Sequence, residues 1–221
     1  NDGGRVPLSR LPVAPIHSAF SGPPIEFLGA AALCQLNDGE LVLTSNDGPQ
    51  LGSLRFGSPT VIPQLHWNGA RLSTQAAHLV PSPEILMNGR TPTPQIVRAG
   101  GASLPDWLDL SNTVETDLDL RALGAACAPL SDWALGIASA GSSTEMAFEL
   151  EAAEARVRAR LVSFGALPSA VRILESRFVA TTYEHARVVS VRVHGVAGNP
   201  VGNVLRGTGA PDATEPWRCS A

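Results

Sequence analysis

The segment Val188-Val189-Ser190-Val191-Arg192-Val193 leads through His194 directly into Gly195-Val196-Ala197-Gly198-Asn199-Pro200-Val201. Apolar residues at alternate positions of the first part predict a half-buried β-strand. Glycines and a proline in the second part predict a sharp turn, because glycine adopts backbone conformations that other residues avoid. Residues 171–180 alternate in the same way. The C-terminal half therefore predicts paired strands that run into a glycine turn.

Turn signals recur along the rest of the chain. Asn37-Asp38-Gly39 and Asn46-Asp47-Gly48 separate short apolar segments, a pattern typical of β-hairpins. The chain has 21 glycines and 18 prolines among 221 residues, which favours many short strands joined by turns. We therefore predict an all-β fold, an antiparallel barrel or sandwich, within one domain.

Two segments need separate interpretation. Residues 25–36 are predicted as the first β segment, after a proline-rich extended arm over residues 1–24. Residues 145–164 fit two structures, since early glutamates and late arginines suit a helix dipole whereas alternating apolar residues suit strands. We favour two strands there. Residues 211–221 are predicted as a short polar tail.

The glycine turn resembles the nucleophile loop of the trypsin-like serine proteases, with Ala197 in the position of the serine. In that family the amides equivalent to Gly195 and residue 197 form an oxyanion hole. Alanine lacks the attacking oxygen. The resemblance therefore implies a protease domain that is inactive as written.

Two further segments resemble the same family. The small residues before His78, in Gln75-Ala76-Ala77-His78, are similar to the strand end that presents the general base. Asp117, just before an apolar segment, is similar to the aspartate that orients the base. Other aspartates that remain open for this role are Asp106, Asp109 and Asp119.

The resemblance implies a chymotrypsin-like fold of two antiparallel barrels over residues 25–210, with a junction at about residues 124–143. Within that family, the sequence resembles the compact proteases that process viral polyproteins more than the digestive enzymes. This resemblance implies a peptide or polyprotein substrate and a viral origin. The substrate could include the protein's own termini. Residues that would line the specificity pocket are Arg192, His194, Arg206, Gly207 and Thr208. Positive or hydrogen-bonding groups there would favour an acidic or polar side chain at the cleaved position.

Two other interpretations stay open. A β-rich binding module, such as a viral capsid projection, explains the composition equally well but not the order of His78, Asp117 and the glycine turn. A natural pseudoprotease differs only in whether the native gene encodes serine at position 197.

The composition argues against several classes of binding partner and cofactor. A net charge of −4 without a basic stripe argues against nucleic acid, and no apolar run has the length of a transmembrane helix. His17, His66 and His185 lack partners at metal-ligand spacing, so we expect neither a metal nor another cofactor. Cys34, Cys127 and Cys219 form an odd, widely spaced set, which favours a reducing, intracellular setting such as the host cytoplasm. Cys34 and Cys127 are interpreted as buried apolar residues rather than nucleophiles.

Overall fold

A computed structural model describes residues 2–10, 12, 21–62, 65–67, 70–72, 76–81, 93–104, 106, 108, 113–180 and 187–198. The strands are β1 Gly39–Ser45, β2 Gly48–Arg55, β3 Ser58–Pro59, β4 Val61–Ile62, β5 Leu65–Trp67, β6 Ala70–Leu72, β7 Ala76–Ala77, β8 Leu79–Pro81, β9 Gln95–Ala99, β10 Thr113–Thr116, β11 Leu130–Ser139, β12 Val171–Ala180 and β13 Val188–Ala197. The α-helices are α1 Gly22–Leu33, α2 Leu120–Cys127 and α3 Ser143–Ser163, with short 3-10 helices at Leu8–Arg10 and Pro168–Ala170.

The first sheet is mixed. Its strand order is β10-β9-β1-β2-β3, and β8 also pairs with β2. Strands β1 and β2 form the hairpin that the Asn46-Asp47-Gly48 signal predicts, with Ser45 opposite Gly48. Gly48 has a φ of +90°, a backbone conformation that glycine adopts without strain. Strand β9, however, runs parallel to both β1 and β10.

Helices α1 and α2 cover one face of this sheet. Phe27 and Leu28 of α1 are fully buried against Leu41, Leu43 and Val97 of the sheet. The prediction of a β segment over residues 25–36 is wrong, and the helix begins inside the predicted arm. Apart from Glu26, the α1 sequence has no charged or polar side chain, so its pattern carries no clear helical period, while the prolines in its first turn and its alanines suit a helix.

The second sheet is antiparallel, in the order β11-β13-β12, and α3 packs on one of its faces. The prediction of two strands over residues 145–164 is wrong, because this segment lies within the single helix α3. Ser142 caps the helix by accepting a hydrogen bond from the Glu145 amide at 3.2 Å. Ala153, Val157 and Leu161, four residues apart, are completely buried against the sheet.

A strand-rich fold is confirmed, but the fold is not all-β because helices cover both large sheets. None of the sheets formed by the described residues closes into a barrel, so the predicted pair of antiparallel barrels is not confirmed. Helices α1 and α3 each cover the face that the opposite wall of a barrel would cover. No helix among the described residues has the length and apolar character needed to span a membrane.

The start of the chain joins the second sheet. Arg5 forms a parallel bridge with Leu130 at the beginning of β11. The Arg5 amide donates to the Pro129 carbonyl at 2.6 Å, and the Ser131 amide donates to the Arg5 carbonyl at 3.0 Å. This bridge brings Asp2 beneath the face of the second sheet that α3 leaves uncovered.

Candidate functional site

His78 and Asp117 lie at opposite edges of the first sheet. His78 is exposed between β7 and β8, and its amide donates to the Thr60 carbonyl at 2.7 Å. Asp117 is exposed directly after β10, which is separated from β8 by β9, β1 and β2. The structure therefore does not bring these two predicted catalytic residues together.

Two of the other candidate aspartates lie among the described residues. Asp119 is the N-cap of α2 and accepts hydrogen bonds from the amides of Arg121 and Ala122 at 3.0 and 3.1 Å. Asp106 is exposed. Asp109 lies outside the described residues.

Gly195 and Ala197 belong to the central strand of the second sheet. Ala197 is 4% exposed and lies between Leu130 and Val171 on the neighbouring strands. Gly195 is extended, and a Cβ atom at this position would lie 2.5 Å from a methyl carbon of Val157 on α3. The predicted sharp turn therefore does not begin at Gly195, where glycine instead allows helix and strand to approach closely. Within residues 195–198, the first residue with positive φ is Gly198.

The remaining predicted pocket residues divide into two groups. Arg206, Gly207 and Thr208 lie outside the described residues, as do His17, His185 and Cys219, and the His66 side chain is likewise not described. Arg192 and His194 are buried on the face of β13 opposite α3. On this face, His194 lies in a cluster of buried polar groups that includes Asp2 and Ser131.

His194 forms a buried pair with Asp2. Its Nε2 lies 3.1 Å from Oδ2 of Asp2, although 192 positions separate the two residues in the chain. The same carboxylate oxygen accepts a hydrogen bond from the Ser131 hydroxyl at 2.8 Å, and the Gly4 amide donates to Oδ1 at 2.9 Å. His194 is 1% exposed and Asp2 is 8% exposed. The pair is thus held in one arrangement away from bulk water.

Asp2 is a carboxylate at neutral pH. Burial by itself raises the pKa of an aspartate, but here the hydrogen bond and the charge of His194, with the Gly4 amide, outweigh burial. The pKa of Asp2 consequently lies well below its usual range. Because a carboxylate only accepts hydrogen bonds, the proton between the two side chains belongs to Nε2 of His194.

A cavity of about 240 Å³ lies beside His194, between the two sheets. Its lining residues are Arg55, Pro59, Thr60, Val61, Leu174, Glu175 and His194. Nδ1 of His194, the ring nitrogen that Asp2 does not engage, is buried and has no hydrogen-bond partner among the described residues. Buried polar atoms without a partner are rare in proteins, so Nδ1 of His194 is an exception among the described residues.

Two charged residues on the cavity wall differ in their partners. Glu175 lies opposite His194 in the strand register and forms an ion pair with Arg177. Arg55 is exposed, donates to the Leu174 carbonyl at 3.4 Å and lies over the Phe56 ring at 5.6 Å. None of the described carboxylates lies within ion-pair distance of Arg55. Among the described residues, this arginine on the cavity wall therefore has no carboxylate partner.

A second cavity, of about 290 Å³, lies near the β1–β2 turn and the start of α2. Its lining includes Arg121, which bonds to Glu26 at 3.0 Å and to Asp47 at 3.3 Å. Because these charges already satisfy one another, this cavity is a weaker candidate than the one beside His194.

The two described cysteines do not supply a nucleophile. Burial raises the pKa of the Cys34 thiol to about 11 and also raises that of Cys127. Both therefore remain protonated at neutral pH, in agreement with their interpretation as apolar residues. Among the residues that the structure describes, no group of three or more histidine, cysteine or acidic side chains is placed to hold a metal ion.

Sequence reasoning named His194 as a pocket residue but missed Asp2, Arg55 and Glu175. Asp2 was assigned to the extended arm, and only the adjacent Gly3-Gly4 indicates a close approach to other backbone. A Cβ on Gly4 would overlap the Ser131 side chain, and Gly3 has a φ of +81°. These glycines allow Asp2 to reach His194.

Comparison with protein-family models, with curated proteins and with solved structures finds no match to this chain.

Proposed function

We propose that this protein is a ligand-binding module and that the cavity between its two sheets holds a small polar ligand. The observation that carries the proposal is the state of the His194 ring, which lines the cavity, is 1% exposed, is anchored at Nε2 by Asp2 and has no partner for Nδ1 among the described residues. An unsatisfied buried polar atom costs about 1–3 kcal/mol, and a ligand that bonds to it removes that cost. This proposal develops the binding-module interpretation of the sequence.

The Asp2 contact prepares His194 for binding. With Nε2 held by a carboxylate, the imidazole cannot rotate freely and Nδ1 keeps a fixed position. A ligand therefore loses little affinity to ordering this side chain. The size of the cavity is below the range of about 300–1,000 Å³ that is typical of pockets for drug-sized molecules, which favours a small ligand or one end of a larger one.

The test is a screen of small molecules against the full chain by NMR, with the ring nitrogens of His194 as the reporter. Ligands of the cavity should shift Nδ1 of His194. His194→Gln should abolish binding, whereas Arg158→Gln, an exposed change on α3 at the opposite face of the second sheet, should retain it. Failure of every compound to shift His194, or equal binding by both variants, would contradict the proposal.

Serine peptidase activity, within a two-barrel chymotrypsin-like fold, is a second and separate proposal. Its support is the order of His78, Asp117 and the Gly195–Gly198 segment in the sequence. The natural substrate would be a peptide or polyprotein. Introducing serine at position 197 tests this proposal directly.

A further inference from the structure

We propose that the outer edge of strand β11 is a homodimer interface, where two copies of this chain pair antiparallel and join their second sheets into one. The interface does not depend on the proposed ligand-binding function. Its support is an open strand edge, exposed apolar side chains along that edge, and charges on α3 that complement those of a second copy.

Strand β11 lies at one edge of the second sheet, since the strand order is β11-β13-β12. Its odd-numbered residues direct their backbone groups away from β13, as three hydrogen bonds show: the Ser131 amide donates to Arg5, the Ser139 amide donates to Glu145, and the Trp133 carbonyl accepts from Arg160. The outward amides and carbonyls of Leu135 and Ile137 have no hydrogen-bond partner among the described residues. Such an edge is a template for pairing with another strand.

The side chains of β11 do not protect this edge. Natural sheets usually protect their edges with charged side chains, prolines or bulges, and β12, at the other edge, has a bulge and three charged residues. The one charged residue of β11, Asp132, is buried and ion-paired with Arg160. Leu135 and Ile137 are instead exposed, on the face that α3 leaves uncovered. The edge therefore favours association with an apolar strand.

The two residues with open backbone groups determine how a second copy pairs. Gly136 lies between them, and a twofold axis at Gly136 sets Leu135 of each copy opposite Ile137 of the other. The outward amide and carbonyl of one residue then bond to those of its opposite, as in a hydrogen-bonded antiparallel pair. Because the axis is perpendicular to the sheet, the same surface of both copies meets and the contact is closed.

The charges of α3 support the same arrangement. Helix α3 runs antiparallel to β11, so that Glu145 contacts the Ser139 amide at 3.1 Å and Arg160 contacts the Trp133 carbonyl at 2.9 Å. Pairing about Gly136 sets Ser139 of one copy opposite Trp133 of the other. Glu145 of each copy consequently lies beside Arg160 of the other. Opposite charges in these positions fix the register of the partners, whereas parallel pairing would place like charges together.

The first experiment measures the mass of the full chain by sedimentation equilibrium at increasing protein concentration. We expect a monomer–dimer equilibrium. Ile137→Lys should raise the Kd of the dimer about tenfold or more, because a lysine on a strand edge opposes pairing. Phe148→Lys is the matched control, since Phe148 is 67% exposed and Ile137 is 68% exposed. Phe148 is half a turn out of phase with buried Val157, so it lies on the outer side of α3 and the control should dimerise normally.

Glu145→Lys tests the charge pattern separately. It sets a positive charge beside Arg160 of the second copy and should raise the Kd of the dimer severalfold at low salt. Glu151→Lys makes the same change of charge at an exposed position on another side of α3, and it should leave the Kd unchanged.

A chain that stays monomeric up to millimolar concentration would overturn the proposal, and so would a dimer whose Kd Ile137→Lys does not change. Circular dichroism checks that Ile137→Lys is folded. If it is not, the two glutamate variants decide, and equal Kd values for Glu145→Lys and Glu151→Lys would overturn the interface.

Discussion

At the scale of single residues, Asp2 is the side chain whose environment most alters its chemistry. Its carboxylate accepts hydrogen bonds from His194, Ser131 and Gly4, and its pKa lies well below the usual value of 3.8. A carboxyl group with a lowered folded-state pKa stabilises the fold fully above its unfolded-state pKa and loses this contribution as the pH falls through the folded-state pKa.

Asp2→Asn should therefore lower the free energy of unfolding at neutral pH by roughly 1–3 kcal/mol, since it weakens a buried charge-assisted contact. The difference from the unsubstituted protein should persist down to about pH 4 and shrink below it. Denaturant unfolding at a series of pH values measures this. Equal stability of the two proteins at neutral pH would show that the Asp2 contact contributes nothing to the fold.

Ala197 tests the peptidase proposal. Ala197 is 4% exposed at the end of the central strand of the second sheet, between Leu130 and Val171. On the peptidase proposal, Ala197→Ser should be labelled by a fluorophosphonate and should cleave peptides, unlike the unsubstituted chain, and adding His78→Ala should abolish both. If Ala197→Ser is not labelled, the peptidase proposal fails.

At the scale of elements, helices α1 and α2 meet through glycines. A Cβ on Gly124 would overlap the backbone carbonyl of Ile25, and a Cβ on Gly29 would overlap that of Leu120. Helix propensity alone predicts that Gly→Ala stabilises a helix by about 1 kcal/mol. The close contact of the two backbones reverses this sign.

Gly124→Ala should consequently destabilise the protein by about 1–3 kcal/mol, because backbone atoms cannot move aside as a flexible side chain can. Thermal or denaturant unfolding measures the change. Gly22→Ala is the matched control, since a Cβ at Gly22 meets no atom within 4 Å. If both variants are equally stable, the helices are free to separate and the packing argument is wrong.

The elements also show which local patterns are informative. Strands β12 and β13 and the β1–β2 hairpin follow from alternation and from an Asn-Asp-Gly turn, which are signals within the segment itself. Helix α3 contains both a helical and an alternating apolar pattern, and its buried positions Ala153, Val157 and Leu161 are evident only once the sheet beneath them is known. Helix α1 is apolar except for Glu26, so periodicity does not distinguish it from a buried strand.

At the scale of the whole molecule, the N-terminal segment connects parts of the chain that are far apart in sequence. Asp2 contacts β13, and Arg5 bridges to β11. The first and second sheets also meet where Arg55 donates to the Leu174 carbonyl at 3.4 Å, and Arg177 of the second sheet donates at 3.0 Å to the Val61 carbonyl in the separate β4–β7 pair. The candidate site lies at this junction and exists only when the sheets are assembled.

Loss of the Asp2 contact should therefore loosen the N-terminal segment before the sheets. In Asp2→Asn, the amides of Arg5 and Ser131 should exchange with solvent faster, whereas amides of the central strand β1 should keep their protection. Native-state hydrogen exchange followed by NMR compares the two proteins. Unchanged exchange at Arg5 and Ser131 would show that the bridge to β11 holds without Asp2.

Local sequence patterns predict the strand-rich character of the protein, the β1–β2 hairpin and the C-terminal strand pair, because alternation and turn chemistry act over a few neighbouring residues. Long-range packing, by contrast, brings Asp2 to His194, places Arg55 and Glu175 on the same cavity, and puts His78 and Asp117 at opposite edges of a sheet. Such contacts join residues that are distant along the chain, and they depend on strand order and on which face of each sheet a helix covers. Neither property is encoded in a local pattern, since burial on a given face arises only when the elements pack together.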